Sequence, residues 1–386
     1  MSLDAPEEDA DGSRRREMVG ACVVSAAGSL PLHLTSFTVA LAAAEQRLPI
    51  ELAGWISSCF FVGILASTVS LPLFGFRRVT AIWPAICAVV VAAALWLGTI
   101  QGPLSLLCGW GVVGAACGVL HFLGSTSAAS YPDRHFVFGL RLALVLFAAA
   151  AVIGGAGLVG GFKSYATAVT VLGVGFGLAC VIGLFWYRPP PAMAEPCLRT
   201  PAVSVQGRGR WHGLAITVLF FAGQPGFMAY AAHLALSHHI EVAALPMIWA
   251  GCKALGALVL LKWGANARSG SPTLGLGAML GLAVLTMASA HNLALFAFGL
   301  LLWEIAINQQ STRLQAMVVS FHPAHGGLWL PAAIAIGAGI GPVIHGALLG
   351  QAAGHWFVAY SVVSGLLPAI WILHRARAQV APGLSS

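Results

Sequence analysis

Long apolar runs alternate with short polar segments along the whole chain. Twelve of these runs are long enough to span a membrane as helices, since a hydrocarbon core of about 30 Å takes about 20 apolar residues. They cover residues 18–43, 52–74, 79–100, 104–131, 138–160, 165–187, 211–236, 242–264, 273–290, 293–317, 327–350 and 356–374. Strands of a membrane β-barrel would give shorter runs of alternating hydrophobicity. The pattern therefore predicts an all-α integral membrane protein with twelve transmembrane helices.

The composition supports the same class. Mean hydropathy is +0.87, 59% of the residues are hydrophobic and only 8% are charged. A soluble fold of 386 residues could not cover its core with so few polar side chains. The sequence contains no GxxxxGK[ST] nucleotide-binding loop, no nucleophile elbow and no Cys/His spacing typical of a metal site. We therefore expect no enzyme activity, no cofactor and no metal, and we expect transport to be driven by a gradient.

The basic residues predict the orientation of the chain. Of its 19 Lys and Arg residues, 16 fall on one face of the predicted membrane domain, Arg47 and Lys163 fall on the other, and Lys253 lies inside. Short loops rich in Lys and Arg stay cytoplasmic. We therefore expect both termini on the cytoplasmic side of a bacterial inner membrane. The pI near 9.2 then reflects topology and not nucleic-acid binding.

A polar segment rich in Pro and Arg, residues 188–210, divides the runs into two sets of six. Such a composition is typical of a linker. The sequence predicts a cytoplasmic disordered tail at 1–16, a six-helix half at 17–187, a linker at 188–210, a second six-helix half at 211–374 and a cytoplasmic tail at 375–386. The halves resemble each other weakly, because Gly28-Ser29-Leu30-Pro31 in the first run has a counterpart, Gly223-Gln224-Pro225, in the seventh. Parallel repeats of this kind are typical of transporters whose halves rock about a central site.

With six plus six helices and a basic central linker, the chain resembles the major facilitator superfamily over residues 17–374. The segment Phe74-Gly75-Phe76-Arg77-Arg78-Val79, between the second and third runs, is similar to that family's motif of Gly, Asp and paired basic residues, although the Asp is missing. The resemblance implies alternating access, with Arg77 and Arg78 at a gate. It also places the substrate cavity among the first, fourth, seventh and tenth helices.

Prolines and glycines inside the runs predict kinks and close helix contacts. Pro31 and Pro225 interrupt the first and seventh runs, and Gly341-Pro342 lies in the eleventh. Proline removes a backbone hydrogen bond, and glycine lets two helix backbones approach closely. We expect these four residues to act in gating or helix packing.

Lys253 in the eighth run and Glu304 in the tenth are the leading candidates for function. A charge at the middle of the bilayer costs at least about 2.5 kcal/mol, so each is expected to face a partner or a watery cavity. Glu304 shares a helix face with Asn308 and Ser311, four and seven residues further on. We assign proton coupling to Glu304 and substrate binding to Lys253 and Asn308. The alternative is a static ion pair that joins the two helices.

Other intramembrane polar residues extend the set of candidates. His33, His121, His233 and His345 lie within runs, and histidine can relay protons near neutral pH. We assign proton coupling to His33 and His121, and substrate binding to His233 and Gln224. For each of these residues, packing or a hydrogen bond between helices is the alternative.

Two residues are expected to be unimportant for substrate. Arg141, near the start of the fifth run, is expected to set topology and not to contact substrate. Trp303 points about 100° away from Glu304 on a helix, so it is expected to pack or to face lipid.

The sequence as a whole predicts a secondary active transporter that works by alternating access. The leading function is proton-coupled efflux of a small amphipathic compound, because the cavity-facing helices look largely apolar. The alternative is proton-coupled uptake of a small organic anion, with Lys253 as its counter-ion. The expected partners are a small-molecule substrate, protons and the lipid bilayer, with no nucleic acid, and the protein is expected to be a monomer.

Overall fold

The computed structural model describes residues 7–45, 47–74, 76–131, 133–160, 164–188, 209–240, 244–263, 273–321, 326–351 and 354–380. These residues form thirteen helices and no β-strand. The helices are α1 (Glu7–Glu45), α2 (Ile50–Phe74), α3 (Phe76–Leu97), α4 (Pro103–Ala129), α5 (Arg134–Leu158), α6 (Tyr165–Trp186), α7 (Gly209–Ala229), α8 (Ala231–Ser237), α9 (Leu245–Trp263), α10 (Thr273–Ala288), α11 (Leu293–Phe321), α12 (Gly326–Gly350) and α13 (Gly354–Val380).

Thirteen helices correspond to twelve spans because the seventh run is broken at Tyr230 into α7 and α8. Tyr230 has φ −108° and ψ 2°, and its hydroxyl lies 3.0 Å from the carbonyl oxygen of Pro342 and 3.3 Å from that of Ile50. Ten spans, with α7 and α8 counted as one, are long and apolar enough to cross a membrane, and α3 and α10 contain shorter apolar segments. The prediction of an all-α membrane fold is confirmed.

One end of the bundle contains the start of α1, the end of α6, the start of α7 and the last part of α13. Tyr187, at the end of α6, lies 3.2 Å from the hydroxyl of Ser127 in α4, and its ring packs against Trp83 of α3. Gly20 of α1 packs against the last turn of α6. Gly213, near the start of α7, lies against Trp371, near the end of α13. We call this the terminal end and the opposite one the far end.

The two halves meet along two long helix pairs. α2 packs along α12, and α5 packs along α9. In the first pair, Ser58 donates a hydrogen bond to the carbonyl of Gly339 at 2.5 Å. In the second pair, Leu142 and Leu146 of α5 form an apolar cluster with Leu260 of α9. The space between these two pairs is where a cavity can form.

The terminal segments differ from the prediction. α1 begins at Glu7, although residues 1–16 were expected to form a disordered tail, and α13 continues to Val380. The membrane-spanning part of α1 starts only at Arg15. Acidic residues are favoured in the first turn of a helix because they complement the helix dipole, and this chain begins with several. Most of the linker, 189–208, lies outside the described residues.

Gly341 shows how closely the helices approach. It lies on α12 against the backbone of Ala222 on α7, so that an added Cβ would collide with the carbonyl oxygen of Ala222. We therefore expect Gly341→Ala to destabilise the protein by about 1–3 kcal/mol, the usual cost of overpacking. Thermal unfolding of the detergent-purified protein, followed by tryptophan fluorescence, measures this loss.

Gly275→Ala is the matched control, because Gly275 lies in α10 with no atom within 4 Å of an added Cβ. This variant should unfold at the wild-type temperature or slightly above it. Equal stability of the Gly341 and Gly275 variants would show that the α7–α12 contact tolerates a methyl group.

Candidate functional site

A cavity lies between the two halves, lined by α1, α4 and α5 of the first half and by α7, α9, α11 and α12 of the second. About 80 Å³ of it is open to the centres of water molecules, which is room for several waters. Its polar lining consists of Ser29, His33, Ser36, His121, Arg141, Lys253, Asn308, Ser311 and Gln315. Its apolar lining consists of Leu32, Leu142, Phe221, Pro225, Met228, Trp249, Trp303, Ile307 and Ile334.

Lys253 and Glu304 form a buried ion pair. The Lys253 Nζ atom on α9 lies 2.6 Å from Glu304 Oε1 on α11, and the two residues are 2% and 0% exposed. Asn308, one turn further along α11, donates to the backbone oxygen of Glu304 at 2.5 Å and to its Oε2 at 3.3 Å. Both carboxylate oxygens therefore have a partner. Lys253 lines the cavity, whereas Glu304 lies behind it.

His33 connects this ion pair to the other half of the protein. Its Nδ1 atom on α1 lies 3.3 Å from Lys253 Nζ, so a neutral His33 can accept a hydrogen bond from the lysine. The ammonium group thus lies between a carboxylate of its own half and a histidine of the opposite half. Any movement that separates α1 from α9 breaks this histidine contact.

His121 forms a second polar contact in the first half. Its Nδ1 atom on α4 lies 2.9 Å from the hydroxyl of Ser29 on α1, and both residues line the cavity. The structure thus places His33 and His121, the two histidines assigned to proton coupling, in the same cavity. Only His33 touches the ion pair.

Arg141 differs most from its expectation. It was expected to set topology near the membrane surface, yet it is 2% exposed and lines the cavity from α5. Its Nη1 donates to Ser125 Oγ at 2.7 Å, and its Nη2 donates to Gln315 Oε1 at 3.2 Å. Because Ser125 lies on α4 and Gln315 on α11, the guanidinium bridges the halves. Seven residues into α5, it lies about 10 Å from the start of that helix.

The polar stripe on α11 is longer than the sequence analysis recognised. Asn308 and Ser311 continue to Gln315, whose Nε2 donates to Ser311 Oγ at 2.7 Å. Residues spaced by three or four positions share a helix face, and Glu304, Asn308, Ser311 and Gln315 follow this spacing. The stripe therefore leads from the ion pair to Arg141, over about 16 Å of helix.

Trp303 also lines the cavity and does not face lipid. It is 6% exposed, and its Nε1 donates to Gln224 Oε1 at 3.0 Å. The spacing rule could have found Gln315, which continues the stripe by four residues. No pattern along the chain indicates that Arg141 and Trp303 face the cavity.

Three polar residues that the sequence singled out lie away from the cavity lining. Gln224 is fully buried, and its amide joins α7 to α13 through the backbone oxygen of Ser361 at 2.6 Å. His345 is bonded to Gly341 O and to Ser361 Oγ, each at 2.9 Å. His233 lies in the short helix α8. The substrate role assigned to Gln224 and His233 stays a prediction.

The residues assigned to gating and packing lie as follows. Pro225 lines the cavity, and Pro31 lies in α1 with its carbonyl accepting from Thr35 at 3.0 Å. Gly341 packs on α7 and Pro342 accepts a hydrogen bond from Tyr230, as described above. Arg77 and Arg78 fall in the first turn of α3, but their side chains lie outside the described part of the chain, so their gating role stays a prediction.

Within the described residues, no group of three or more His, Cys, Asp or Glu side chains could hold a metal ion.

The fold and the cavity together define a multi-pass membrane protein with the fold of the major facilitator superfamily. The human organic anion transporter MFSD10 (TETRAN) is similar at a TM-score of 0.65 and 14% identity, covering 93% of this chain and 99% of that one. The nucleoside transporter NupG, solved as a point mutant, is similar at a TM-score of 0.64 and 10% identity, covering 96% and 99%. No model of a known protein family and no curated protein matches the sequence.

The ion pair can be tested by stability alone. Lys253→Met or Glu304→Gln should each cost about 3–5 kcal/mol, because the remaining charge stays buried without its partner. The double variant Lys253→Met/Glu304→Met should recover most of the loss, since no unpaired charge remains. Thermal unfolding of the three purified proteins measures this, and single variants as stable as the wild type would contradict the buried ion pair.

Proposed function

We propose that this protein is a secondary active transporter that carries a small organic anion together with protons by alternating access. The observation that carries this proposal is the ion pair Lys253–Glu304 at the wall of a cavity between two six-helix halves. An intramembrane carboxylate paired with a lysine marks a candidate pathway for protons or substrate. The similarity to two transporters supports transport as the general activity.

The charge of the cavity favours an anion. Two basic side chains, Lys253 and Arg141, belong to its lining, and no Asp or Glu does among the described residues. Glu304 is hidden behind the lysine. The expectation of amphipathic efflux was based on a cavity with few fixed charges. Arg141 adds a buried charge to the cavity lining, so that the cavity is more basic than the sequence predicted. The aromatic side chains Trp249 and Trp303 support an amphipathic body on the anion.

The ion pair suggests how the proton and the anion are coupled. While Glu304 is ionised, its carboxylate is paired with the Lys253 ammonium group. Protonation of Glu304 weakens this attraction and makes the ammonium group available to an anionic substrate. Because the proton has to be present when the anion binds, both move in the same direction. The geometry therefore favours symport, the second of the two functions that the sequence left open.

The contact between His33 and Lys253 links this exchange to the conformational change. It joins α1 to α9, and it must open when the halves separate. An anion bound to Lys253 would compete with His33 for the same ammonium group. Substrate binding would thus loosen a contact between the halves.

The location follows from the distribution of charge. We propose a bacterial inner membrane with both termini in the cytoplasm, based on the 16 of 19 Lys and Arg residues that the sequence pattern assigns to the side of the termini. An inwardly directed proton gradient would then drive uptake. The monomeric state stays a prediction.

The coupling is tested in proteoliposomes that contain a trapped pH-sensitive dye. A panel of organic anions is added outside, and only those that leave protein-free liposomes unchanged are retained. Symport predicts that the lumen acidifies when a transported anion enters. In Glu304→Gln, acidification should be lost, whereas exchange of labelled for unlabelled anion across the membrane should persist.

Glu51→Gln is the matched control, because Glu51 lies exposed in the first turn of α2 and away from the cavity. It should behave as the wild type. Alkalinisation of the lumen upon addition of a compound would mean antiport and would replace this proposal by efflux. Acidification that survives in Glu304→Gln would remove Glu304 from the coupling.

A further inference from the structure

Arg141 is a buried cation with neutral hydrogen-bonding partners. It is 2% exposed, and no carboxylate lies within ion-pair distance of it among the described residues. Its partners are a hydroxyl, an amide oxygen and the ring face of Phe138, 5.3 Å from the guanidinium carbon. A buried charge with neutral partners only is costly. The free-energy cost of burying this charge is lower when an anion binds next to the guanidinium.

Part of the free hydrogen-bonding capacity of Arg141 lies on one edge of the guanidinium. Nη1 is held by Ser125 of the same half. Nη2 reaches Gln315 at 3.2 Å, which is long for a hydrogen bond to a cation. Nε has no partner among the described residues. Nε and Nη2 form the side edge of the guanidinium, which binds the two oxygens of a carboxylate in parallel.

We propose that Arg141 binds the carboxylate of the transported anion, and that Gln315 occupies this position in the empty cavity. The inference is based on the transport function proposed above and names the substrate class, a small carboxylate with an apolar body. The carboxylate displaces the amide oxygen of Gln315 from Nη2 and reaches Nε with its second oxygen. An ionised acceptor makes the stronger hydrogen bond.

The surroundings specify the rest of the substrate. Leu142, Ile307 and Trp303 line the same cavity as Arg141 and Lys253 and offer apolar contacts to a hydrocarbon or aromatic body. The second cation, Lys253, is paired with Glu304, which precedes Gln315 by about 16 Å along α11. The carboxylate is therefore expected at Arg141, and Lys253 becomes available to a second polar group of the substrate once Glu304 is protonated.

Displacement of Gln315 has a conformational consequence. Gln315 belongs to the second half and Arg141 to the first, so their hydrogen bond joins the halves on the terminal side of the cavity. A bound carboxylate replaces this bond by one to the substrate, and Ser311 retains Gln315 on its own helix. Binding at Arg141 thus releases α11 from α5 at this point.

Ligand-induced stabilisation tests the proposal without any transport assay. The purified full chain in lipid nanodiscs is heated with millimolar benzoate, phenylacetate or octanoate, and separately with benzamide, phenylacetamide or octanamide. At least one carboxylate is expected to raise the melting temperature, and its amide is not. No stabilisation by any of the carboxylates, or equal stabilisation by the matched amide, overturns the proposal.

Substitution of Arg141 identifies the binding group. Arg141→Gln should abolish the carboxylate-induced shift, and Arg141→Lys should weaken binding by about tenfold or more, because an ammonium cannot replace the two parallel hydrogen bonds. Arg313→Lys is the matched control. Arg313 lies on α11 outside the cavity lining and donates to Thr273 at 3.2 Å. A shift that survives in Arg141→Gln overturns the proposal.

Gln315→Met distinguishes a binding role from a purely structural one. If the amide occupies the carboxylate position, its removal should strengthen carboxylate binding even if the empty protein becomes less stable. A structural role alone predicts lower stability and unchanged or weaker binding, and that result contradicts the proposal.

The two proposals can fail separately. Arg141-dependent carboxylate binding without proton flux would leave this inference standing and would remove proton coupling. Proton flux that depends on Glu304, with carboxylate binding that does not depend on Arg141, would support proton coupling and would overturn this inference.

Discussion

A charge inside an apolar helix bundle must have a partner, and the centre of this protein is arranged around that constraint. Lys253 on α9 and Glu304 on α11 form an ion pair at 2.6 Å. Asn308 donates a hydrogen bond to the second oxygen of the carboxylate. Lipid tails cannot provide these interactions, so the helices that carry the two residues pack side by side. The same constraint makes the pair responsive, because a change in the charge of one member changes what the other can bind.

The helix α11 carries the polar side of the site. Its stripe begins at Glu304 and ends at Gln315, so that the ion pair and Arg141 lie at opposite ends of one helix face. This arrangement separates two tasks in space. Proton exchange belongs to the first end in our proposal, and recognition of a carboxylate belongs to the second. The apolar side chains between them, Ile307 among them, leave room for a substrate body that connects the two ends.

The contacts between the halves are mostly uncharged. Ser36 of α1 bonds to the backbone of Met228, Ser58 of α2 to that of Gly339, and Tyr230 to those of Ile50 and Pro342. Hydroxyl groups that donate to helix carbonyls can exchange partners at a cost of about 1 kcal/mol each. Charged contacts of the same number would lock the halves together. Uncharged ones suit a protein that has to separate its halves repeatedly.

The sequence by itself determined the membrane class, the twelve spans and the two charges at the centre, because hydropathy and the rarity of buried charges are local properties. It also determined that Glu304, Asn308 and Ser311 share a face. Only the tertiary structure decided which faces meet: it placed Arg141 in the cavity and left Gln224 between α7 and α13. In a membrane protein, apolar residues face both the neighbouring helices and the lipid. Helical periodicity in hydrophobicity therefore does not separate the inner face of a helix from the outer one. An arginine near a basic loop therefore looks like a topology signal until its neighbouring helices are known.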